Sequence, residues 1–164
     1  MSTHRPLLRV IETPVVPGPT VNFCGHCGEV PPPADPAPRV CDRCGLGVVL
    51  SAPENVAPSA RTPFLVIDSR LSICAVSRLA EDLLQVSEVN AINRHLTDFI
   101  LPADAEVGGP ESLVGSIIAA AGGSVAPHDI VVRPAGEYGV RYLVRVGPCG
   151  PPTAALIVFS EDAV

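Results

Sequence analysis

The sequence contains no lysine and no tryptophan, and it is poor in aromatic and charged residues. All 11 basic residues are arginine, only 4% of the residues are aromatic and 17% are charged. Nucleic-acid-binding surfaces usually combine a dense basic patch with stacking aromatic side chains, and no such patch is present in this sequence. The net charge of −6 also repels phosphate backbones, so nucleic acid is not the favoured partner.

Long apolar runs are absent as well. None approaches the roughly 20 residues that cross a bilayer, and the N-terminus lacks the apolar stretch of a signal peptide. We therefore expect a cytoplasmic protein without a membrane partner. Because that compartment is reducing, the six cysteines are expected as metal ligands or free thiols rather than disulfides.

Four of these cysteines form two matched pairs, each with a two-residue spacer. The pairs are Cys24 with Cys27, and Cys41 with Cys44. Such a spacer lets both thiolates of a pair reach one ion, and two facing pairs complete a tetrahedral shell of four sulfurs. A glycine follows each pair, Gly28 and Gly45, and suits a backbone with φ > 0 near the sulfurs. The pattern predicts a structural zinc ribbon over residues 20–52.

Other uses of the four cysteines stay open as alternatives. One iron held by four thiolates has the same pattern, although iron proteins of this type pack aromatics around the metal and only Phe23 is near. His26 lies between the first two cysteines and is expected to face solvent, since four thiolates already complete the shell. A segment this short cannot build its own core, so metal binding should drive its folding, at about 10–16 kcal/mol for structural zinc in small peptides.

Proline and small residues divide the chain into segments. Residues 1–19 are predicted to be an extended or disordered arm, 53–61 a linker, and 62–162 a second domain. Prolines at 31–38 stiffen the segment that connects the two cysteine pairs. Because a linker of this kind implies few shared contacts, we expect the ribbon and the second domain to unfold independently.

Residues 62–162 have an α+β pattern. The predicted strands are 64–67, 71–76, 130–133, 138–146 and 154–159, and the predicted helical segments are one capped by Ser77, one or two short turns within 90–101, and 111–121. Gly122 and Gly123 are expected to close the last helix.

The stretch FLVIDSRLSICAVSRLAEDLLQVSEVNAINRHLTDFILPAD, residues 64–104, resembles the front half of a PAS domain. It carries two apolar strands around a turn, a helix, and a leucine-proline-acid run at 101–104. The helix at 111–121 and the closing strands are similar to the back half, so the resemblance covers about residues 62–161. Three residues depart from the common pattern: Leu71 and Gln85 replace frequent glycines, and Ser77 replaces a frequent asparagine.

The resemblance implies a five-stranded antiparallel sheet packed against short helices, often around a small cavity. It also implies sensing or protein association through the sheet, with a ligand that fold analogy leaves unknown. The candidate cavity residues are Ile73, Val76, Leu84, Ile92, Leu96, Phe99, Leu113, Ile117, Val131, Leu143 and Ile157. An ordinary filled core would use the same positions.

Cofactor and enzyme chemistry have little support in the sequence. Flavin-binding PAS domains carry a cysteine motif on a helix, whereas Cys74 lies on a predicted strand. Haem would require His95 or His128 as the axial ligand of its iron, and both histidines are expected at the surface. We expect Cys74 to be a buried small residue and Cys149 a loop thiol. No nucleophile triad, phosphate-binding glycine loop or open metal site is evident, so we expect no enzyme.

The combined pattern favours a non-catalytic signalling or regulatory adaptor, in which the PAS-like domain binds a protein partner, a second copy or a small ligand. Any output is then expected from another chain, since the sequence ends just after the last predicted strand. One alternative is a nucleic-acid-associated transcriptional regulator that uses the ribbon. The other is a redox protein with one iron held by the four thiolates.

Overall fold

The computed structural model describes residues 18–105, 108–124 and 126–163, with side chains through Ser160 in the last strand. The predicted arm at 1–19 falls almost entirely outside the described residues. The strands are β1 Thr20–Cys24, β2 Val49–Pro53, β3 Phe64–Ile67, β4 Ile73–Val76, β5 Ile100–Pro102, β6 His128–Pro134, β7 Tyr142–Cys149 and β8 Ala154–Ala163. The helices are α1 Arg78–Leu84, α2 Glu88–Ala91 and α3 Leu113–Ala121, with a 3-10 turn at Leu96–Asp98.

The protein is an α+β structure with two antiparallel sheets. Strands β1 and β2 form a hairpin-like pair in which Thr20 is opposite Pro53 and Cys24 is opposite Val49. The other six strands form one sheet in the order β4-β3-β8-β7-β6-β5. The predicted α+β class is confirmed, whereas the predicted number of five strands is wrong.

The additional strand is β5, at the edge of the sheet. Sequence patterning predicts short helical turns within 90–101, and the structure contains α2 and the 3-10 turn there. The chain then extends, and Ile100 pairs with Pro134 while Pro102 pairs with Val132. Three residues carry too little pattern to indicate a strand; their pairing with β6, some 30 residues later in the chain, decides their conformation.

Local signals locate several element ends correctly. Ser77 precedes α1, and its Oγ accepts a hydrogen bond from the Ala80 N–H at 3.2 Å.

Helix α3 begins after Ser112, whose Oγ accepts from the Gly115 N–H at 3.1 Å, and so starts two residues later than predicted. The predicted strand 138–146 is displaced, because its pairing begins only at Tyr142 and continues to Cys149.

Two of the departures from the PAS pattern lie at left-handed backbone positions. Leu71, in the turn before β4, has φ 65°, and Gln85, at the end of α1, has φ 52°. Glycine adopts this region freely, whereas a residue with a Cβ pays about 1–2 kcal/mol. Leu71 and Gln85 therefore adopt a backbone conformation that glycine would favour at the same positions.

Strand β3 of the six-stranded sheet is covered on both faces. In β3 all four side chains are buried, and they alternate between the faces: Leu65 and Ile67 point to one, Phe64 and Val66 to the other. We call these the inner face, against the helices, and the outer face. A strand buried on both sides requires a continuous apolar run, which explains the sequence FLVI.

The inner core lies between the sheet and the helices. It includes Leu65 and Ile67 of β3, Ala80 of α1, and Leu113 and Ile117 of α3. The outer core combines side chains from the sheet with residues of the predicted ribbon and linker. Its buried members are Phe23, Leu50, Ala52, Val56, Phe64, Val66, Cys149, Ala154 and Leu156.

The outer core contradicts the expectation of few contacts across residues 53–61. Residues 51–53 belong to β2, and Val56 is 2% exposed within the outer core. A Cβ on Gly147 of β7 would lie 2.5 Å from Val56 Cγ2, so the glycine makes room for this side chain. The segment packs directly on the sheet, because its apolar side chains have the outer face available to them.

Candidate metal centre

The four paired cysteines converge on one point. Their Sγ atoms all lie within 4.8 Å of one another. Across the two pairs, Cys24 Sγ lies 3.6 Å from Cys44 Sγ, and Cys27 Sγ lies 3.8 Å from Cys41 Sγ. A tetrahedral ion with metal–sulfur bonds of about 2.3 Å requires sulfur–sulfur distances of about 3.8 Å. The donor set therefore fits a four-coordinate thiolate-bound metal.

Both turns that hold the thiols have the same backbone geometry. The Gly28 N–H donates to the Cys24 carbonyl at 3.0 Å, and the Gly45 N–H donates to the Cys41 carbonyl at 2.8 Å. Gly28 has φ +71° and Gly45 has φ +68°, as expected from the glycine after each pair. The two turns are equivalent halves of one site.

Backbone N–H groups also point at the sulfurs. The N–H groups of His26 and Cys27 donate to Cys24 Sγ, and that of Gly47 donates to Cys44 Sγ, each at 3.4 Å. Such donors stabilise a thiolate, the form that binds metal.

The pKa values of Cys24 and Cys44 are shifted in opposite directions. Burial raises the pKa of Cys24 to about 12, although the backbone N–H groups of Cys27 and His26 donate to its sulfur and act to lower it. Burial also acts to raise the pKa of Cys44, but hydrogen bonds from the backbone of Gly47 and Leu46 outweigh it and lower the value to about 6. Several thiolates packed this closely require a cation between them.

Gly47 is part of the centre, although the pattern of paired cysteines does not indicate it. A Cβ on this residue would collide with Cys24 Sγ and lie 2.8 Å from the His26 backbone nitrogen. The backbone of the second turn therefore passes directly against the first. The only sequence signal is its position three residues after Cys44 and two after Gly45, which does not distinguish it from an ordinary loop glycine.

His26 is not at a solvent-facing position, contrary to expectation. Its side chain is 16% exposed, and its Nδ1 lies 3.5 Å from Glu88 Oε2 at the start of α2. Its carbonyl accepts a hydrogen bond from the Arg78 N–H of α1 at 2.8 Å. Glu88 Oε1 in turn accepts from the Val76 N–H at 3.2 Å. The first cysteine turn therefore contacts α1 and α2, and Glu88 connects it to the end of β4.

The two strands beside the metal centre pack on the sheet. Phe23, next to the ligand Cys24, makes an edge-on contact with Phe64, with ring centroids 5.5 Å apart. Ser51 of β2 and Gly150 exchange two backbone hydrogen bonds of 2.6 and 3.0 Å. The segment that carries the four cysteines thus extends the outer layer of the same structure.

Two surface depressions flank the metal centre. A cleft of about 720 Å³ lies between the cysteine turns and α1, and Cys27, Cys44, Thr62, Arg78 and Asp82 contribute to its wall. Cys27 and Cys44 are partly exposed, whereas Cys24 and Cys41 are buried.

The second depression is a groove of about 270 Å³ on the other side of the second cysteine turn. It lies between that turn and β3–β4, with Leu46, Val48, Val66, Cys74 and Pro151 in its wall. Leu46 is 73% exposed and Val48 is 55% exposed. Both depressions are therefore formed where the ribbon meets the sheet and helices.

Most of the candidate cavity residues lie in the inner core. Buried there are Ile73, Val76, Leu96, Leu113, Ile117 and Ile157, with Leu84, Ile92 and Phe99 partly buried against them. Val131 and Leu143 are not among them. Val132 of β6 and Val144 of β7 face the inner core, so the adjacent Val131 and Leu143 point to the outer face. A shift of one position along a strand moves the side chain to the other face of the sheet, so assigning Val131 and Leu143 to the cavity was wrong.

The two remaining cysteines have environments opposite to those expected. Cys74 is exposed on β4 and lines the groove, whereas Cys149 is 5% exposed and belongs to the outer core. Burial raises the pKa of Cys149 to about 12. Strand β7 continues past its predicted end at residue 146 and carries Cys149 beneath the ribbon.

Comparisons with models of known protein families, with curated proteins and with solved structures found no match to this chain. Within the described ranges, the helices lack the length and apolar character needed to cross a bilayer.

Proposed function

We propose that this protein is a non-catalytic regulatory adaptor in which a structural zinc ribbon is joined to a PAS-like domain. The observation that carries the proposal is the four-thiol cluster, with cross-pair sulfur distances of 3.6 and 3.8 Å. Four protein thiolates occupy all positions of a tetrahedral ion, whereas catalytic zinc sites keep one position for water or substrate. A closed site favours a structural role for the metal.

The PAS-like assignment is supported by the order of the elements. Two antiparallel strands, β3 and β4, are followed by short helices, then α3 and three long strands, with the helices against the inner face. The short edge strand β5 departs from the five-stranded pattern. Binding of a protein partner or small ligand, rather than turnover, is the activity that such a domain supports best.

The surface we assign to binding is the junction between ribbon and domain. Both depressions beside the metal centre lie there, outside the inner core. One combines charged side chains with partly exposed thiols, and the other is lined mainly by apolar side chains. A junction built from two modules offers a partner both apolar area and orienting charges.

Native mass spectrometry of the full chain tests the proposal. The expected mass is that of the chain with one zinc ion, and Cys41→Ser should lose the metal while the control Cys74→Ser retains it. Additional mass would reveal a retained ligand or a second copy. A coloured, iron-containing protein would instead support the redox alternative.

Titration with labelled single- and double-stranded DNA or RNA at two salt concentrations tests the nucleic-acid alternative. Arg43 lies 3.3 Å from Glu29, so part of the ribbon's positive charge is already paired. We expect no binding at micromolar protein. Binding that weakens steeply with salt would contradict the adaptor proposal and favour a nucleic-acid role.

A further inference from the structure

The part of the outer face formed by β3, β8 and the end of β7 is apolar and is shielded by the ribbon. Phe64 and Leu156 are 0% exposed and Val66 is 3% exposed, although all three point away from the helices. Their cover consists of Phe23 of β1, together with Leu50 and Ala52 of β2 and Val56. Removal of the ribbon would therefore expose a continuous apolar surface.

The cover depends on the metal for its own structure. Strands β1 and β2 have five residues each, and an isolated two-stranded sheet of this size is marginally stable in water. The covering residues are directly coupled to the ligands, because Phe23 precedes Cys24 and pairs with Leu50. Loss of the metal should thus release the side chains that cover the sheet.

The rest of the sheet has an independent source of stability. The inner core contains 18 buried residues against nine in the outer core, and its members lie outside β1 and β2. The helices and strands can therefore remain packed when the ribbon detaches. The metal is also approachable from one side, because the partly exposed Cys27 and Cys44 line the cleft.

We propose that the ribbon is a metal-dependent cover of the outer face of the sheet. With metal bound, the ribbon shields the outer core; when the metal is removed, the ribbon detaches and the outer face becomes accessible while the inner core persists. Metal occupancy is thereby converted into exposure of an apolar surface on the domain. The proposal requires a metal in the four-thiol site, as the proposed function does, but not that the metal be zinc.

Cys149 provides a reporter for the cover. Its thiol is buried in the outer core, whereas Cys74 is exposed. The full chain, metal-loaded or treated with EDTA under reducing conditions, is exposed to a thiol-alkylating reagent and analysed by peptide mass spectrometry. Removal of the metal should accelerate alkylation of Cys149 by at least about tenfold. Alkylation of Cys74 should change little, and amides of α3 should stay protected from hydrogen exchange.

A variant tests the contact without removing the metal. Phe23→Ala should accelerate alkylation of Cys149 in the metal-loaded protein, whereas the control Leu46→Ala, on the exposed part of the ribbon, should not. The proposal is overturned if the metal-binding cysteines become reactive after chelation while Cys149 stays protected. It is equally overturned if α3 loses protection together with Cys149, because the whole domain then unfolds. The metal content of the starting protein, measured separately, tests the proposed function.

Discussion

The rings of Phe23 and Phe64 meet edge-on, with their planes at 89° and both side chains 0% exposed. Phe23 directly precedes Cys24 of the four-thiol cluster, and Phe64 begins β3, which lies one strand in from the edge of the six-stranded sheet. The contact therefore connects the metal centre to the core of the domain. Stability of the two parts should be coupled through it.

Substitution of a metal ligand should destabilise more than the ribbon. Cys41→Ser removes one of four thiolates, and loss of the cover then weakens the outer core of the sheet. We expect the free energy of unfolding, measured by urea denaturation in the presence of zinc, to fall by more than about 4 kcal/mol. The exposed Cys74→Ser should change it by less than about 0.5 kcal/mol. Equal effects would disprove the coupling.

Two glycines of the second cysteine turn should respond differently to alanine. In Gly47→Ala the new methyl group collides with Cys24 Sγ, so zinc affinity should drop at least about tenfold. In Gly45→Ala the methyl group meets no atom within 4 Å, and only the positive φ is unfavourable, at about 1–2 kcal/mol of stability. Competition with a chromogenic zinc chelator measures both. A similar affinity loss in the two variants would argue against the tight approach at Gly47.

Gly147 and Val56 should show compensating effects. Gly147→Ala overpacks the outer core by placing a methyl group against Val56, at about 1–3 kcal/mol. Val56→Ala leaves a space there. In the double variant the new methyl group occupies that space, so the loss of stability should be smaller than the sum of the single losses. Additive losses in urea denaturation would show that residues 53–61 do not pack as described.

The ion pair between Asp129 and Arg145 should contribute a pH-dependent stabilisation. Arg145 donates hydrogen bonds of 2.7 and 2.8 Å to Asp129 and lowers the pKa of that carboxyl below its ordinary 3.8. Both side chains are 46% exposed, so Asp129→Asn should cost only about 0.2–1 kcal/mol at pH 7.

Because the folded-state pKa is the lower one, this stabilisation is present above the unfolded pKa and is lost as pH falls through the folded value. Asp82→Asn, at an exposed position, is the control, and since both variants lose metal alike in acid, the difference between them isolates the ion pair. Urea denaturation at several pH values measures it. A difference that grows as the pH falls would contradict the assigned direction.

The end of α1 should prefer glycine. Gln85 is exposed, with φ 52° and ψ 41°, in the left-handed region. Gln85→Gly should be more stable than Gln85→Ala by about 1 kcal/mol, because glycine adopts this backbone without strain. Thermal unfolding of both metal-loaded variants measures the difference. A more stable alanine variant would indicate that the helix end rearranges.

Predictions that depended on neighbouring residues were confirmed. The glycine after each cysteine pair has positive φ, Ser77 caps α1, and FLVI forms a strand, because each of these features is decided by hydrogen bonds, steric limits or burial within a short segment. The convergence of the four thiols also follows from their spacing, since a metal selects the conformations in which all four meet.

Predictions that depended on distant parts of the chain were less reliable. The extended state of Ile100–Pro102 comes from pairing with β6, and the outward direction of Val131 and Leu143 comes from the strand register. In a sheet with apolar residues on both faces, alternation does not reveal which face meets the helices. The same difficulty explains why Cys74 is exposed, whereas Cys149 is buried because β7 continues three residues past its predicted end.

By itself, the sequence determined a four-cysteine site and an α+β domain, because ligand spacing and apolar patterning act over short separations. The tertiary structure alone decided that the ribbon lies on the outer face of the sheet, with Phe23 against Phe64 and His26 beside Glu88. That placement arises because the outer face is apolar along β3 and β8 and must be removed from water there, and the ribbon supplies the apolar side chains that cover it.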